Sequence, residues 1–89
     1  MSDDGLQALR SRIAVKSLEI LELLNERAEI ALAIGRVKRQ SGLPIHNPTR
    51  ERELQEEIAK HNHGPLSCEA VARIFAVVFA ETTALERDA

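Results

Sequence analysis

Cysteine is nearly absent, basic residues are in no excess, and no apolar run approaches the length of a membrane span. Each of these absences removes a class of function. The single Cys68 leaves no intrachain disulfide and no CxxC metal or redox site, which suits a reducing compartment. Lysine and arginine number 12 against 14 aspartates and glutamates, interspersed for a net charge of -2, so no basic face is offered to nucleic acid. The longest apolar run, Ile74 to Ala80, is far too short to cross a bilayer. The opening Met-Ser-Asp-Asp-Gly is acidic and polar, the opposite of a signal or transit peptide. The expectation is a soluble, cytoplasmic protein. Strand-like alternation, internal repeats and low-complexity segments are missing too, as is any Ser/His/Asp or Cys/His arrangement for nucleophilic catalysis.

What the chain does have is helical period. From Leu6 to about Gln40 no proline intervenes, and Leu6, Leu9, Ile13, Ser17, Ile20, Leu24, Ala28, Ala31 and Ile34 recur at three and four, apolar but for Ser17. One helix of that length runs roughly 50 Å, longer than a globule of this size is wide. A second stripe of Leu18, Leu21, Ile30 and Val37 widens the apolar arc beyond what one neighbour covers. An obligate helical dimer is the simplest solution, and Gly35 could let another backbone approach closely. Ser41-Gly42-Leu43-Pro44 ends this helix, with Gly42 placed for a C-terminal cap. Asn47 caps a second helix with Pro48 at its first position, running to about His61 and apolar at Leu54 and Ile58. His63-Gly64-Pro65 breaks it, and Ser67 caps a third helix with Leu66 and Val71 spaced as a hydrophobic staple. That helix carries Val71, Ile74, Phe75, Val78 and Phe79, and should pack inside. The expected architecture is all-α: one very long N-terminal helix and two shorter ones. Residues 1–5 are read as a disordered tail and residues 6–89 as a single helical domain.

Cations are spread along the first helix. Arg27 and Lys38, eleven residues apart, lie within roughly 20° on one face and about 16 Å apart, so both can reach one small molecule. Arg10 lies about 25 Å from Arg27 and 42 Å from Lys38, beyond any shared metabolite. It can join them only from an antiparallel partner chain. Asn47 and Arg50 sit at the start of the second helix, where free N–H groups and the positive dipole end favour anions. Glu51 beside them offers an acceptor for a hydroxyl. The competing interpretation is a solvated face, the usual fate of cations on a long helix.

Taken in order, Leu9-Arg10, Leu23-Leu24-Asn25-Glu26-Arg27, Gly35-Arg36-Val37-Lys38, Asn47-x-x-Arg50-Glu51-Arg52-Glu53 and the terminal Phe75, Thr82 and Glu86 resemble the all-α chorismate mutase family. The likeness runs from Leu6 to Glu86. It implies an intertwined helical homodimer with shared active sites that isomerises chorismate to prephenate, in aromatic amino acid biosynthesis at the branch to phenylalanine and tyrosine. By this resemblance Arg27, and Arg10 from the other protomer, bind carboxylates, and Lys38 reaches the ether oxygen and a carboxylate. Glu51 takes the substrate hydroxyl and Asn47, where the family often has Asp, lies at the same hydroxyl. Arg50 lies near the site, and Thr82 is a small hydroxyl residue lining it. Glu86 stands where the family more often has Gln as second donor to the ether oxygen, and an acid donates only when protonated. Lys16-Ser17 also departs from an apolar-acidic pair common in the family's first helix.

A Claisen rearrangement needs no nucleophile, metal or cofactor, and none is implied. It needs a folded substrate conformation and stabilisation of charge on the breaking ether oxygen. The same fold class includes isochorismate pyruvate lyases, which usually carry an apolar residue after the second-helix arginine; the Arg50-Glu51 pair argues against that alternative. A helical dimerisation module without catalysis is another, and the chain could also be one domain of a fusion, for example with a prephenate dehydratase or an aldol-type synthase. His61 and His63 lack a third ligand and are read as exposed. His46 is read as an incidental loop residue beside the site, and Cys68 as a small, partly buried one.

Overall fold

The computed structural model describes residues 3–88. Three helices follow one another, α1 (Asp3–Ser41), α2 (Pro48–His61) and α3 (Cys68–Asp88), with no strand among the described residues. None is long and apolar enough to cross a membrane. The chain measures 61 × 25 × 15 Å with a radius of gyration of 16.9 Å. A compact chain of this length would have about 12 Å. The excess comes from α1, whose 39 residues extend about 58 Å.

Helix ends are set by local chemistry. Gly42, at φ 68°, turns the chain out of α1: its N–H donates to the Arg39 carbonyl at 3.4 Å and the Leu43 N–H donates to the Lys38 carbonyl at 2.9 Å. This paired closure is the Schellman motif, and it needs the left-handed residue that Gly supplies without a Cβ penalty. The side-chain oxygen of Asn47 accepts from the Arg50 N–H at 3.1 Å, and Pro48 holds the first position of α2. Ser67 Oγ accepts from the Ala70 N–H at 3.1 Å at the start of α3. α1 begins earlier than Leu6: Asp3 and Asp4 occupy its first turn, where their charges meet the positive end of the helix dipole. Of the expected tail, residues 3–5 are therefore helical, while Met1 and Ser2 lie outside the described residues.

α3 packs against both α1 and α2, and joins them. It approaches α1 closely at Gly35, which is buried: a Cβ there would stand 3.0 Å from the Glu86 carbonyl oxygen and 3.1 Å from its Cα. The missing side chain lets the last turn of α3 seat on α1. Gly35→Ala gains about 1 kcal/mol of helix propensity. Overpacking against backbone that cannot rotate away costs about 1–3 kcal/mol, so a small net loss is expected. Gly35→Val, with more volume and no propensity gain of that size, should lose clearly more. Urea denaturation of both variants checks the order; a stabilised Gly35→Val would mean that α3 does not seat here.

Within one chain the core is slight. Ala31 and Phe79 are the buried apolar residues, and from Asp3 to Glu26 every position of α1 is exposed. α3 departs from expectation here: Phe79 is buried, Val71, Phe75 and Val78 are half-buried, but Ile74 and Val77 are 51% and 62% exposed. Its apolar arc is wider than α1 and α2 together cover. Cys68, expected to be partly buried, is exposed, 3.7 Å from Asn62 Nδ2. On the first turn of α3 it lines an open groove between α2 and α3 together with Gln55, Ala59 and Ala72.

Candidate active site

All three helices contribute to a cleft of about 300 Å³. From α1 come Arg27, Ile34 and Lys38, successive members of one face; from the loop and α2 come Ile45, Asn47, Arg50, Glu51 and Leu54; from α3 come Phe79, Thr82, Thr83 and Glu86. Of the eight residues expected to form the site, seven meet here. Arg10 does not: it sits on the exposed stretch of α1, far from this cleft.

The two α1 cations of the cleft, Arg27 and Lys38, are held, not solvated. Arg27 is half-buried, its guanidinium carbon 5.1 Å above the Phe79 ring centroid and its Nη1 donating to Thr82 Oγ1 at 3.1 Å. Thr82 in turn gives its own proton to the helix, with Val78 and Phe79 carbonyls at 2.9 and 3.1 Å. A hydroxyl has a single proton, so Thr82 serves as an acceptor that orients Arg27. The guanidinium keeps further N–H groups for a planar anion such as a carboxylate. Lys38 Nζ donates to the Ile45 carbonyl at 2.8 Å and to Glu86 Oε2 at 3.4 Å. An ammonium has three protons, so one is left for a ligand. The Lys38 and Glu86 side chains are 20% and 12% exposed, shielded enough for their charges to be felt strongly.

At the other wall, Glu51 Oε2 lies 2.8 Å from His46 Nε2. Arg50, adjacent in sequence, instead pairs with Glu53 at 3.3 Å on the rim of the cleft. Asn47 spends its carbonyl oxygen on the α2 cap, leaving its amide N–H groups for a ligand. No group of three or more potential metal ligands occurs among the described residues, and His61 and His63 are exposed.

Sequence reasoning missed Ile34, Ile45, Leu54, Phe79 and Thr83 as lining residues, and the tie between His46 and Glu51. The face-sharing argument applied to Arg27 and Lys38 extends to Ile34 between them. It extends likewise to Phe79, Thr82, Thr83 and Glu86 on α3. The Ile45 carbonyl has no signal in the residue type.

Among the described residues the chain is a three-helix protein whose cleft sets the cations Arg27, Lys38 and Arg50 around a small volume, an arrangement suited by electrostatics and shape to a small polyanion. Residues 9–87 match the family described as chorismate mutase type II. The chain belongs to that family. Among solved structures, chorismate mutase (Form II) from Thermus thermophilus superposes with a TM-score of 0.92 at 35% identity, over 93% of this chain and 94% of that one. Chorismate mutase from Helicobacter pylori in complex with prephenate gives 0.89 at 29% identity, over 97% and 93%. The bifunctional chorismate mutase/prephenate dehydratase of Aquifex aeolicus (strain VF5) is 41% identical over 88 residues, which cover 94% of this chain and 24% of that protein. That of Neisseria gonorrhoeae is 42% identical over 85 residues, 96% of this chain and 23% of that protein. The chain thus spans about a quarter of the length of the curated relatives it matches.

Proposed function

We propose that this chain isomerises chorismate to prephenate by a Claisen rearrangement, as a homodimer in which each cleft is completed by Arg10 of the partner subunit. The observation that carries this reading is the convergence of Arg27, Lys38, Glu51 and Glu86 on one cleft whose lining offers no activated nucleophile. That is the equipment for a rearrangement needing only a folded substrate and a stabilised ether oxygen. The prephenate-bound relative from Helicobacter pylori supports the choice of ligand. Support for the dimer is the exposed apolar length of α1, since soluble monomers seldom expose contiguous apolar patches of more than a few hundred Å². The unpaired Cys68 suits a cytoplasmic setting.

Arg27 and Arg10 of the partner subunit hold the two carboxylates, drawing the enolpyruvyl side chain over the ring into reactive geometry. Holding reacting atoms in this way can lower the barrier by several kcal/mol. Lys38 supplies a cation to the ether oxygen, where charge appears as the C–O bond breaks. Glu51 and Asn47 take the ring hydroxyl, which neither breaks nor forms a bond. Following chorismate loss by its ultraviolet absorbance, with identification of the product, tests the assignment. Prephenate is the expected product; release of pyruvate or no turnover would overturn it.

Glu86 has two faces in this scheme. In the free cleft its carboxylate accepts from Lys38; as a carboxylic acid it donates to the ether oxygen. An amide donates regardless. The Glu86→Gln variant should therefore turn over chorismate with a kcat at least equal to that of the wild type. A Glu86→Gln variant with kcat well below that of the wild type would take Glu86 out of the donor role.

A further inference from the structure

His46 was expected to be incidental, yet its contact addresses a residue of the cleft. The loop between α1 and α2 is fastened at three successive positions. The Ile45 carbonyl accepts from Lys38 Nζ at 2.8 Å, His46 Nε2 meets Glu51 Oε2 at 2.8 Å, and Asn47 Oδ1 caps α2 through the Arg50 N–H at 3.1 Å. The bonds on either side fix the backbone from which the imidazole projects. Among the described residues nothing else contacts the Glu51 carboxylate within hydrogen-bond distance. At the fourth position of α2 it lies one residue past the place from which an acid reaches back to an N-cap, and of the two arginines that flank it in sequence Arg50 is turned to Glu53 while Arg52 makes no ion pair with it.

We propose that His46 is a positioning residue for the isomerisation: its Nε2–H holds one oxygen of Glu51 and leaves the other for the substrate's hydroxyl. The inference rests on the reading of Glu51 given above. Neutral imidazole with its proton on Nε2 and the imidazolium both donate from that nitrogen, so the contact survives either protonation state. Without it, Glu51 is a flexible carboxylate, 30% exposed, at the mouth of the cleft. Its side chain would then have to be ordered at each binding event. Because the hydroxyl is unchanged in the reaction, the benefit falls equally on ground and transition states. It should appear in KM and not in kcat.

Steady-state kinetics on the intact protein test this with His46→Leu, which removes the donor, and His46→Gln, whose amide N–H can reach the place of Nε2. His46 is 51% exposed, so neither change disturbs packing; far-ultraviolet circular dichroism verifies the helices. KM for chorismate should rise roughly 3- to 10-fold in His46→Leu with kcat within about twofold. His46→Gln should recover most of the affinity. In a Glu51→Ala background His46→Leu should add little, since the two residues act as one unit. An unchanged KM in His46→Leu, an equal loss in His46→Gln, or a fall in kcat at fixed KM overturns the proposal while leaving the chorismate mutase reading intact. A wild-type protein that does not turn over chorismate overturns that reading and the role of His46 with it.

Discussion

Lys38→Ala is expected to lower kcat by about 10²-fold or more, with a smaller change in KM, because in the proposed scheme the lost donor faces charge that exists only in the transition state. The geometry makes the loss severe for a second reason. Lys38 is the cation 3.4 Å from Glu86, and without it a largely shielded carboxylate stands unpaired in the cleft beside the developing oxyanion. The double variant Lys38→Ala/Glu86→Gln separates the two contributions: it should be more active at neutral pH than Lys38→Ala alone, though well below the wild type. Arg27 provides the contrast. Its guanidinium is braced by Phe79 and Thr82, and in the proposed scheme it holds a carboxylate present before and after the rearrangement, so Arg27→Ala should act chiefly by raising KM. Initial rates across a range of chorismate concentrations check both expectations. A Lys38→Ala enzyme with near-normal kcat would remove Lys38 from the chemical step.

Much of this arrangement was legible in sequence because the signals are local. The Gly42 turn, the Asn47-Pro48 cap and the Ser67 cap each need a few consecutive residues, and the structure closes the helices with those residues. Helical period likewise put Arg27 and Lys38 on one face, and both line the cleft. Other features depend on which elements meet. Period says that Ile74, Phe75, Val78 and Phe79 are apolar neighbours, but not how much of α3 its partners cover; hence Phe79 is buried and Ile74 is not. The pairing of Glu51 with His46, and not Arg50, follows from the path of a loop whose course is set by a backbone carbonyl held by Lys38. Gly35 sits between these cases. Its lack of a side chain was visible as an invitation to close approach, and the chain that accepts it is the last turn of α3, bringing Glu86 within reach of Lys38.

Mixing two inactive proteins, Arg10→Ala and Lys38→Ala, should restore turnover. Along α1 Arg10 is about 42 Å from Lys38, so no single chain can bring both to one substrate. The exposed apolar residues of α1 run from Leu6 to Val37, and all of that length before Arg27 is uncovered in one chain. Two copies packed antiparallel about a two-fold axis would cover it, the axis falling near the midpoint of the stripe, at about residue 21 or 22. Such an axis sets Arg10 opposite about position 33 of the partner subunit, midway along the axis between Arg27 and Lys38. Each site then takes Lys38 from one chain and Arg10 from the other. In a mixed dimer one site carries both substitutions and its twin carries neither. Random exchange should return about one quarter of wild-type activity, since about half of the dimers are mixed and one site in two of those is intact. Exchange is verified independently by mass spectrometry of differently tagged chains. If mixed dimers form and turnover stays at the level of the two parents, Arg10 does not complete the partner's cleft, and the apolar length of α1 serves association alone.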